Sequence, residues 1–347
     1  KKDGAEVQIA NLISNFKNFE IDIFTCDFYK KGNSIEQNLV DVNIYSKNGF
    51  FNIFEINKLI NTHNYKIVHS HLPKADFFVG LLKFIKKNFT HIISVHAQYG
   101  TRTNESKIKY SVFNIFWKFI LNQSDGIIAI SNKISSWLIE EHKINLDLIT
   151  TVHYGVELHD RDEKLSNNKT IGMAARMLPW KGWDRVIDTA VILKEQNVNF
   201  NLIFAGSDDI NYKKTLIDLV NKKGIQDYVS FHDHYEMIDD FFSKIDLFLF
   251  LSDSEGFGLV VLEAIENNTP VICSNIAPLS EFVDNTHGTL VDSKNFKEVA
   301  NLVKKILEDE DFKKEVQKKQ KEKIISEFSI DIASSNYENY YIKLLND

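Results

Sequence analysis

The sequence contains little cysteine and no apolar run long enough to cross a membrane. Its two cysteines, Cys26 and Cys273, lie in apolar runs in different halves of the chain, which predicts free, buried thiols in a reducing compartment. No stretch reaches the roughly 18 uninterrupted apolar residues of a spanning helix. No charged-then-apolar leader is present, so nothing indicates secretion. These absences predict a cytoplasmic chain that is not an integral membrane protein.

Several functional classes lack their usual signature. No dense basic patch suggests nucleic acid as a partner, no Cys/His cluster suggests structural zinc, and no Gly-x-Gly-x-x-Gly follows a strand as in a nicotinamide dehydrogenase. The net charge is −7, yet residues 1–155 hold 18 basic and 14 acidic residues, so the excess of acid lies in the second half. This asymmetry fits two domains with different partners, and the basic half could attract an anionic membrane surface weakly.

The length of 347 residues and the 44% hydrophobic content suit two domains. In the first half, short apolar runs alternate with amphipathic segments, which predicts a parallel sheet with helices on both faces. The predicted strands are Ile21–Cys26, Val42–Tyr45, Ile67–His71, Ile92–His96 and Gly126–Ser131. The predicted helices are Phe54–Thr62, Asp76–Lys87 and Tyr110–Asn122.

A polar, aperiodic segment, Leu158–Lys169, predicts a linker, after which the alternation restarts. The predicted strands of the second half are Thr170–Ala175, Asn201–Ala205, Val229–Phe231, Asp246–Leu251 and Pro270–Cys273, with a helix at Lys213–Lys223. We therefore predict two doubly wound, Rossmann-like α/β domains facing a cleft, at 1–157 and 158–329. A final helix at Ile330–Leu345 could pack on either domain, and residues 330–347 can return to the first.

The beginning of the chain is unusual for such a domain. A turn at Asp3-Gly4 leads straight into a helical pattern, whereas a Rossmann-like domain has a strand before that turn. We expect one natural N-terminal strand to be missing from this sequence.

The strongest motif runs from Ser254 to Glu263, between an apolar strand and a helix. Its two glycines allow a tight turn and a close backbone approach to a ligand. The helix start is an anion site that suits a diphosphate. The amides predicted to face it belong to Phe257, Gly258 and Leu259. Glu255 and Glu263 are eight residues apart, an angular offset of only ~80°, so both carboxylates can line one wall and accept sugar hydroxyls. The alternative is a capping glutamate followed by a surface one.

A second motif places two cations five residues apart in the loop after another strand. Arg176 and Lys181 could neutralise a diphosphate leaving group, the arginine through its planar fork and the lysine as a point charge. Solvated loop cations are the alternative interpretation of this pair.

Together the two motifs resemble the retaining glycosyltransferases of family four, which have the two-domain GT-B fold. That family carries a Glu-x7-Glu element and an Arg-x4-Lys-Gly loop in its C-terminal domain, and the likeness extends over nearly the whole chain. Further matching stretches are Asp3-Gly4-Ala5-Glu6, Ile67-Val68-His69-Ser70-His71, Ile130-Ser131, Tyr154-Gly155-Val156 and Leu279-Ser280-Glu281-Phe282-Val283. Asp3 stands where the family has the first glycine of its N-terminal loop.

The resemblance implies roles for individual residues. Arg176 and Lys181 would hold the donor diphosphate, Glu255 would bind the transferred sugar, and Glu263 would bind the ribose. Gly4 would let the first loop approach the phosphates or the sugar. His96, at a strand end, matches the active-site histidine of the family, although a lone histidine there is often structural. The loop from His232 to Tyr235, including His234, matches the place where the base is read.

The resemblance also implies the chemistry. The donor would be a UDP-sugar or a GDP-sugar, and a hexosyl or N-acetylhexosaminyl group would pass to a glycan or lipid-linked acceptor of a bacterial-type surface polysaccharide. The leaving diphosphate would take the acceptor proton, without metal or other cofactor, so the enzyme would position groups and stabilise charge. Two weak patterns indicate a metal site instead, Asp253-Ser254-Glu255 and His232-Asp233-His234.

Three questions remain open at the level of sequence. The aromatic segment with Tyr110, Phe113, Phe116, Trp117 and Ile120 could touch the inner face of a membrane or pack on the sheet. A nucleotide-sugar epimerase on a similar frame would consume its substrate without an acceptor. A non-catalytic nucleotide-sugar binder would bind a donor without turnover.

Overall fold

The computed structural model describes residues 4–26, 43–47, 53–86, 88–99, 107–161, 168–233, 235 and 238–346. The chain forms two compact units, one of residues 1–155 together with 330–347 and the other of residues 156–329. The domain boundary is predicted after residue 157, and the units divide after Gly155.

The first unit contains parallel strands with helices between them. Its strands are β1 Asp22–Cys26, β2 Asn43–Lys47, β3 Ile67–His71, β4 Thr90–Val95, β5 Gly126–Ala129 and β6 Ile149–Thr151. Its helices are α1 Gly4–Ser14, α2 Ile53–His63, α3 Pro73–Ile85, α4 Lys107–Gln123, α5 Asn132–Glu140 and, at the end of the chain, α13 Ile330–Asn346. Strands β3 to β6 form one four-stranded sheet in sequence order, and β1 pairs with β2.

The core of the first unit explains why its central strands are apolar throughout. Ile92 and Ile93 of β4 and Ile127 and Ile128 of β5 are buried, because helices cover both faces of a parallel sheet. Helix α13 completes this core, since its Tyr337 packs with buried residues of α1, β4 and β5. The final helix therefore belongs to the first unit, which resolves the choice that the sequence leaves open.

The second unit has the same alternation. Its strands are β7 Thr170–Ala174, β8 Asn201–Ala205, β9 Val229–His232, β10 Leu247–Phe250, β11 Val271–Ser274 and β12 Leu290–Val291. Its helices are α6 Trp183–Glu195, α7 Tyr212–Lys222, α8 Ile238–Phe242, α9 Leu259–Glu266, α10 Leu279–Phe282, α11 Phe296–Glu308 and α12 Glu310–Glu327. Short 3₁₀ turns lie at Leu146–Leu148 in the first unit, and at Pro179–Lys181 and Gln226–Tyr228 in the second.

The strand order of the second unit determines where its ligand should lie. The six parallel strands run β12-β11-β10-β7-β8-β9 across the sheet, so the chain starts in the middle and winds first to one side and then to the other. Such a doubly wound sheet binds ligands beyond the carboxyl ends of the strands where the order reverses. That switch point lies between β7 and β10, and the two predicted motifs follow these two strands.

The predicted linker has no regular secondary structure where the structure describes it, at 158–161 and 168–169. Residues 162–167 lie outside the described residues. The segment that begins the linker nevertheless makes specific contacts, because Arg161 binds the buried carboxylate of Glu266.

Candidate functional site

Two loops of the second unit meet at the switch point of its sheet. The loop after β7 accepts two hydrogen bonds at the carbonyl of Trp180, from the Asp253 amide at 2.8 Å and the Ser252 hydroxyl at 3.3 Å. Gly182 closes this loop with a φ of 83°, and a Cβ there would overlap the carbonyl oxygen of Leu251. Only glycine allows this conformation and this close approach, so the Arg-x4-Lys-Gly loop lies directly against the end of β10.

Lys181 and Glu255, predicted from separate motifs, form an ion pair here. The lysine Nζ lies 2.7 Å from both carboxylate oxygens, and the side chains are only 14% and 7% exposed. The same Nζ lies 5.7 Å from the ring centroid of Phe250, within the range of a cation–π contact. The two side chains have lost most of their hydration, because the pair is largely buried. A ligand could therefore bind Lys181 with an anionic group and Glu255 with hydroxyl groups in place of the ion pair.

Arg176 lies two residues beyond the end of β7, and its side chain is exposed. Its carbonyl accepts a hydrogen bond from Trp183 Nε1 at 3.4 Å, which fixes the backbone. Within the described part of the chain, the guanidinium makes neither an ion pair nor a hydrogen bond. Its planar fork is therefore available to an anion at this end of the sheet.

The glycine-rich motif forms a sharp turn into α9, as its sequence predicts. Gly258 caps this eight-residue helix with a φ of 100°, and a Cβ there would lie 2.6 Å from Leu279 Cδ2. Phe257 is buried and stacks on Phe282 with ring centroids 5.0 Å apart, which anchors the turn. The helix then starts at Leu259, where the first amides of any helix have no acceptor within it and suit an anion.

Glu263 lies in the second turn of α9 and is partly buried. Burial, together with the negative charges of Asp239 and Glu266, raises the pKa of Glu263 to about 7. At neutral pH its carboxyl group therefore divides between the ionised form, which only accepts hydrogen bonds, and the protonated form, which also donates one.

The two metal-like patterns are engaged in protein contacts where they can be described. Asp253 pairs with Arg185, which also binds the Leu251 carbonyl, and Asp233 pairs with Lys213. His234 lies outside the described residues. No cluster of three acidic, histidine or cysteine side chains suited to a metal ion is found among the residues that the structure describes. The metal-free chemistry stays a prediction.

In the first unit, His96 follows β4 and belongs to a chain of hydrogen-bonded side chains. Its Nδ1 bonds to the Tyr154 hydroxyl, and its Nε2 lies 3.0 Å from His71 Nδ1. Burial and the neighbouring His71 hold the pKa of His96 well below its usual range, so the ring is neutral at physiological pH. His96 therefore acts as a neutral hydrogen-bonding group with a tautomer set by its partners.

Sequence reasoning missed this histidine cluster. The rings of His69 and His71 are tilted against each other with centroids 4.2 Å apart, and the nitrogens of His69 bond Ser94 at 2.8 Å and Tyr341 at 2.6 Å. The available signal was the His-Ser-His end of the predicted strand that comes before the strand of His96 in the sequence. Gly4, the other predicted residue of this unit, is the first residue of α1.

Helices α3 and α4 of the first unit expose an apolar surface. Trp117 and Ile120 of α4 are buried, so part of the aromatic segment packs in the core. The α3–α4 surface consists of the exposed side chains of Leu81, Phe84, Ile85, Val112, Ile115, Phe116 and Phe119. None of the helices that the structure describes is long and apolar enough to cross a bilayer.

Comparisons with known proteins identify relatives along almost the whole chain. The family model described as glycosyl transferases group 1 matches residues 157–323, and that described as glycosyltransferase family 4 matches residues 2–160. An uncharacterised glycosyltransferase of Methanocaldococcus jannaschii is 26% identical over 90% of this chain and 86% of its own length. The O-antigen biosynthesis glycosyltransferase WclY of Escherichia coli is 28% identical over 82% of this chain and 80% of its own.

A solved structure shares the fold. The crystal structure of HepE from Anabaena, in complex with UDP and glucose, superimposes with a TM-score of 0.80 at 18% identity, over 99% of this chain and 97% of that one.

Proposed function

Because this chain belongs to the GT-B glycosyltransferases, with a family model matching each half, we propose that its donor is a nucleotide-sugar. A UDP-sugar is the first candidate donor and a GDP-sugar the second. It transfers a hexosyl or N-acetylhexosaminyl group, with retention of configuration, to a glycan or lipid-linked acceptor in surface polysaccharide synthesis. The observation that carries the proposal is the buried Lys181–Glu255 pair at the switch point of the second sheet.

The diphosphate of the donor has three partners in this arrangement. The exposed guanidinium of Arg176 forms a bidentate contact, Lys181 supplies a point charge, and the start of α9 supplies amides. Negative charge grows on the diphosphate as the sugar leaves, so these groups bind the transition state more tightly than the ground state.

Donor binding replaces one ion pair by two sets of contacts. Lys181 turns from Glu255 to the diphosphate, and the released carboxylate accepts hydroxyls of the transferred sugar. Glu263 accepts the ribose hydroxyls. The Glu255 carboxylate exchanges its cation for neutral hydroxyl donors, so the hydrogen bonds of the sugar must replace the stabilisation that Lys181 gave.

The chemical step needs no group beyond these and the acceptor. The leaving diphosphate takes the acceptor proton on the face from which it departs, which gives retention, and neither a metal nor another cofactor takes part. His96, being neutral, hydrogen-bonds a hydroxyl of the transferred sugar without adding charge. For this contact one of its nitrogens gives up its bond to His71 or Tyr154.

The relatives support this choice of donor and pathway. HepE was crystallised with UDP and glucose, and WclY acts in O-antigen biosynthesis. Membership of a glycosyltransferase family favours transfer over the epimerase and non-catalytic alternatives.

Loss of the Lys181–Glu255 pair should abolish transfer. Lys181→Ala alone leaves a buried carboxylate unpaired, a change that can cost about 3–5 kcal/mol of stability. The double variant Lys181→Met/Glu255→Gln therefore removes both charges at once, and it should stay folded while the rate falls by about 100-fold or more. The measurement is transfer of labelled sugar from the donor that thermal shift selects among UDP-, GDP- and ADP-sugars.

The matched control is Lys223→Ala, which breaks a more exposed ion pair with Asp188 in the same unit and should leave transfer unchanged. Wild-type transfer rates in Glu255→Gln and in the double variant would overturn the proposed site.

We also propose that the α3–α4 surface binds the inner face of an anionic membrane. The charged residues described on these helices are lysines apart from the buried Asp76, and of these lysines Lys74 is exposed and Lys118 is partly buried. Exposed apolar side chains beside cations are the pattern of a helix that lies in the interface of a bilayer.

Binding to vesicles tests this surface. Wild-type protein should float with vesicles containing phosphatidylglycerol and less with phosphatidylcholine alone, and Ile115→Ser/Phe116→Ser should reduce flotation by about tenfold, because two large apolar contacts are lost. The control Phe54→Ser changes a 78% exposed aromatic on α2 and should bind normally. Unchanged flotation of the double variant would contradict the membrane proposal. It would also be contradicted if the wild type and Phe54→Ser were dimers and only the double variant were a monomer.

A further inference from the structure

A buried ion network at the end of α9 is not used by the chemistry proposed for the site. Glu266, only 2% exposed, accepts a hydrogen bond from the His159 amide at 3.0 Å. Its carboxylate also binds Arg161, with Nε at 3.0 and 2.9 Å from the two oxygens and Nη2 at 2.8 Å. The segment that opens the linker is thus fastened to the last residue of the helix that carries Glu263.

Arg161 binds a second carboxylate from another element. Its Nη2 lies 3.0 Å from Asp239 Oδ2 on α8, and the Asn267 amide bridges the same two acids at 3.1 Å from Asp239 and 3.3 Å from Glu266. The Arg161 carbonyl in turn accepts from Asn268 at 3.4 Å. Both the side chain and the backbone of Arg161 therefore hold the end of α9.

The two acids that Arg161 neutralises are the acids that act on Glu263. Beside burial, the charges of Asp239 and Glu266 raise the pKa of Glu263. The other charged groups around this network are His159 next to Glu266 and Lys321 of α12, whose Nζ lies 3.8 Å from Glu266 Oε1. Arg161 is the cation that reaches both acids.

We propose that Arg161 is a positioning residue for donor binding: by pairing with Asp239 and Glu266 it fixes the end of α9 and offsets the two negative charges beside Glu263, which accepts the ribose hydroxyls. The inference rests on the proposed function, because it assigns Glu263 to the ribose. Arg161 itself touches neither the donor nor the acceptor in this proposal.

The consequence of losing Arg161 follows from charge. Without the guanidinium, Asp239 loses the cation that pairs with it, and Glu266 keeps Lys321 at 3.8 Å, so the negative charge beside Glu263 grows and the pKa of Glu263 should rise further. A protonated Glu263 loses one acceptor oxygen and binds the ribose diol less well. The loss of affinity for the ribose hydroxyls in a variant without Arg161 should therefore be large near neutral pH. It should be small at alkaline pH, where Glu263 ionises even in the variant.

Calorimetry with UDP and 2′,3′-dideoxy-UDP between pH 6 and 9 tests this inference. The ratio of the two affinities isolates the ribose hydroxyls, since both ligands carry the same base and phosphates. In the wild type this ratio should rise with pH as Glu263 ionises. In Arg161→Gln the rise should move up by about one pH unit, which is about a tenfold loss of ionised Glu263 on the acid side of the transition.

Two further variants separate charge from structure. Arg161→Lys should restore part of the wild-type dependence of the affinity ratio on pH. Arg161→Gln/Glu266→Gln should move the transition back toward its wild-type pH, because the double variant removes one negative charge together with the cation. Lys223→Gln, which breaks a distant ion pair, should not shift the profile.

An Arg161→Gln profile that coincides with the wild type would overturn this inference and leave the proposed function intact. An equal, pH-independent loss for both ligands would also overturn it, because it would indicate a structural role alone. If the wild type binds neither UDP nor a UDP-sugar, the proposed donor fails first.

Discussion

Gly182 is the residue on which the geometry of the loop after β7 depends. Only glycine satisfies both constraints at this position, which are a positive φ of 83° and direct contact with the backbone of Leu251. The loop that carries Arg176 and Lys181 could not approach the end of β10 with any other residue at this position.

Gly182→Ala should therefore destabilise the second unit by clearly more than the roughly 1–2 kcal/mol that a left-handed conformation costs an alanine, because the backbone of Leu251 must also move. The matched control is Gly288→Ala, with a similar φ of 71° and nothing within 4 Å of the added Cβ. Urea unfolding measures both. Equal losses in the two variants would show that the close contact with Leu251 contributes nothing.

At the scale of elements, the sequence predicts those that carry a clear period and misses those too short to have one. The strand predicted at Asn201–Ala205 is observed with the same bounds, since a buried apolar run between polar turns has few other interpretations. Strands β6 and β12, of three and two residues, lack the length for any period and exist through pairing with their neighbours.

The candidate site was predictable where its signal is local. The glycine turn into α9 follows from neighbouring residues, and so do the places of Arg176 and Lys181 after β7. The pairing of Lys181 with Glu255 joins residues 74 apart, and that of Arg161 with Glu266 joins residues 105 apart. No local pattern encodes such contacts, because they depend on which strands become neighbours.

Helix α4 shows a second limit of sequence reasoning. Away from the two helix ends, its polar side chains form one narrow stripe, at Ser111, Asn114, Lys118 and Asn122, and the wide apolar face that remains has no period that tells which part of it packs on the sheet. The structure buries Trp117 and Ile120 and leaves Ile115 and Phe116 exposed, so one face of the helix packs in the core and the other is the face on which the membrane proposal rests.

At the scale of the whole molecule, buried titratable groups make stability depend on pH. Burial lowers the pKa of His71 to about 4 and that of His91 to about 3, below the usual 6.5 of an unfolded chain. Groups with depressed folded pKa values stabilise the fold fully above pH 6.5, and this contribution is lost as the pH falls through their folded values. Asp76, with its pKa raised to about 7 by burial, acts oppositely, since its contribution is lost as the pH rises from about 4 through 7.

The histidines predict acid destabilisation of the first unit below pH 6.5. Each should remove about 1.4 kcal/mol of unfolding free energy per pH unit until its folded pKa is reached. His91→Gln, which lies outside the proposed catalytic groups, should reduce the loss of unfolding free energy by about 1.4 kcal/mol per pH unit. Urea unfolding at a series of pH values from 8 to 4 measures it, with His287→Gln, a partly exposed histidine of the second unit, as control. An unchanged slope in His91→Gln would contradict this account.

The return of α13 to the first unit governs the order in which the chain can fold as it is made. Tyr337 and Tyr341 fill the core beside Leu12 and Ile92, and Glu338 accepts hydrogen bonds from the amides of Lys17 and Asn18. Residues from the two ends of the chain therefore share one core. The first unit has all its strands by Thr151 but lacks α13 until the second unit, continuous from 156 to 329, has been translated in full. During synthesis the unit that is translated first is thus completed last, and the part of its core that Tyr337 and Tyr341 fill stays exposed until α13 leaves the ribosome.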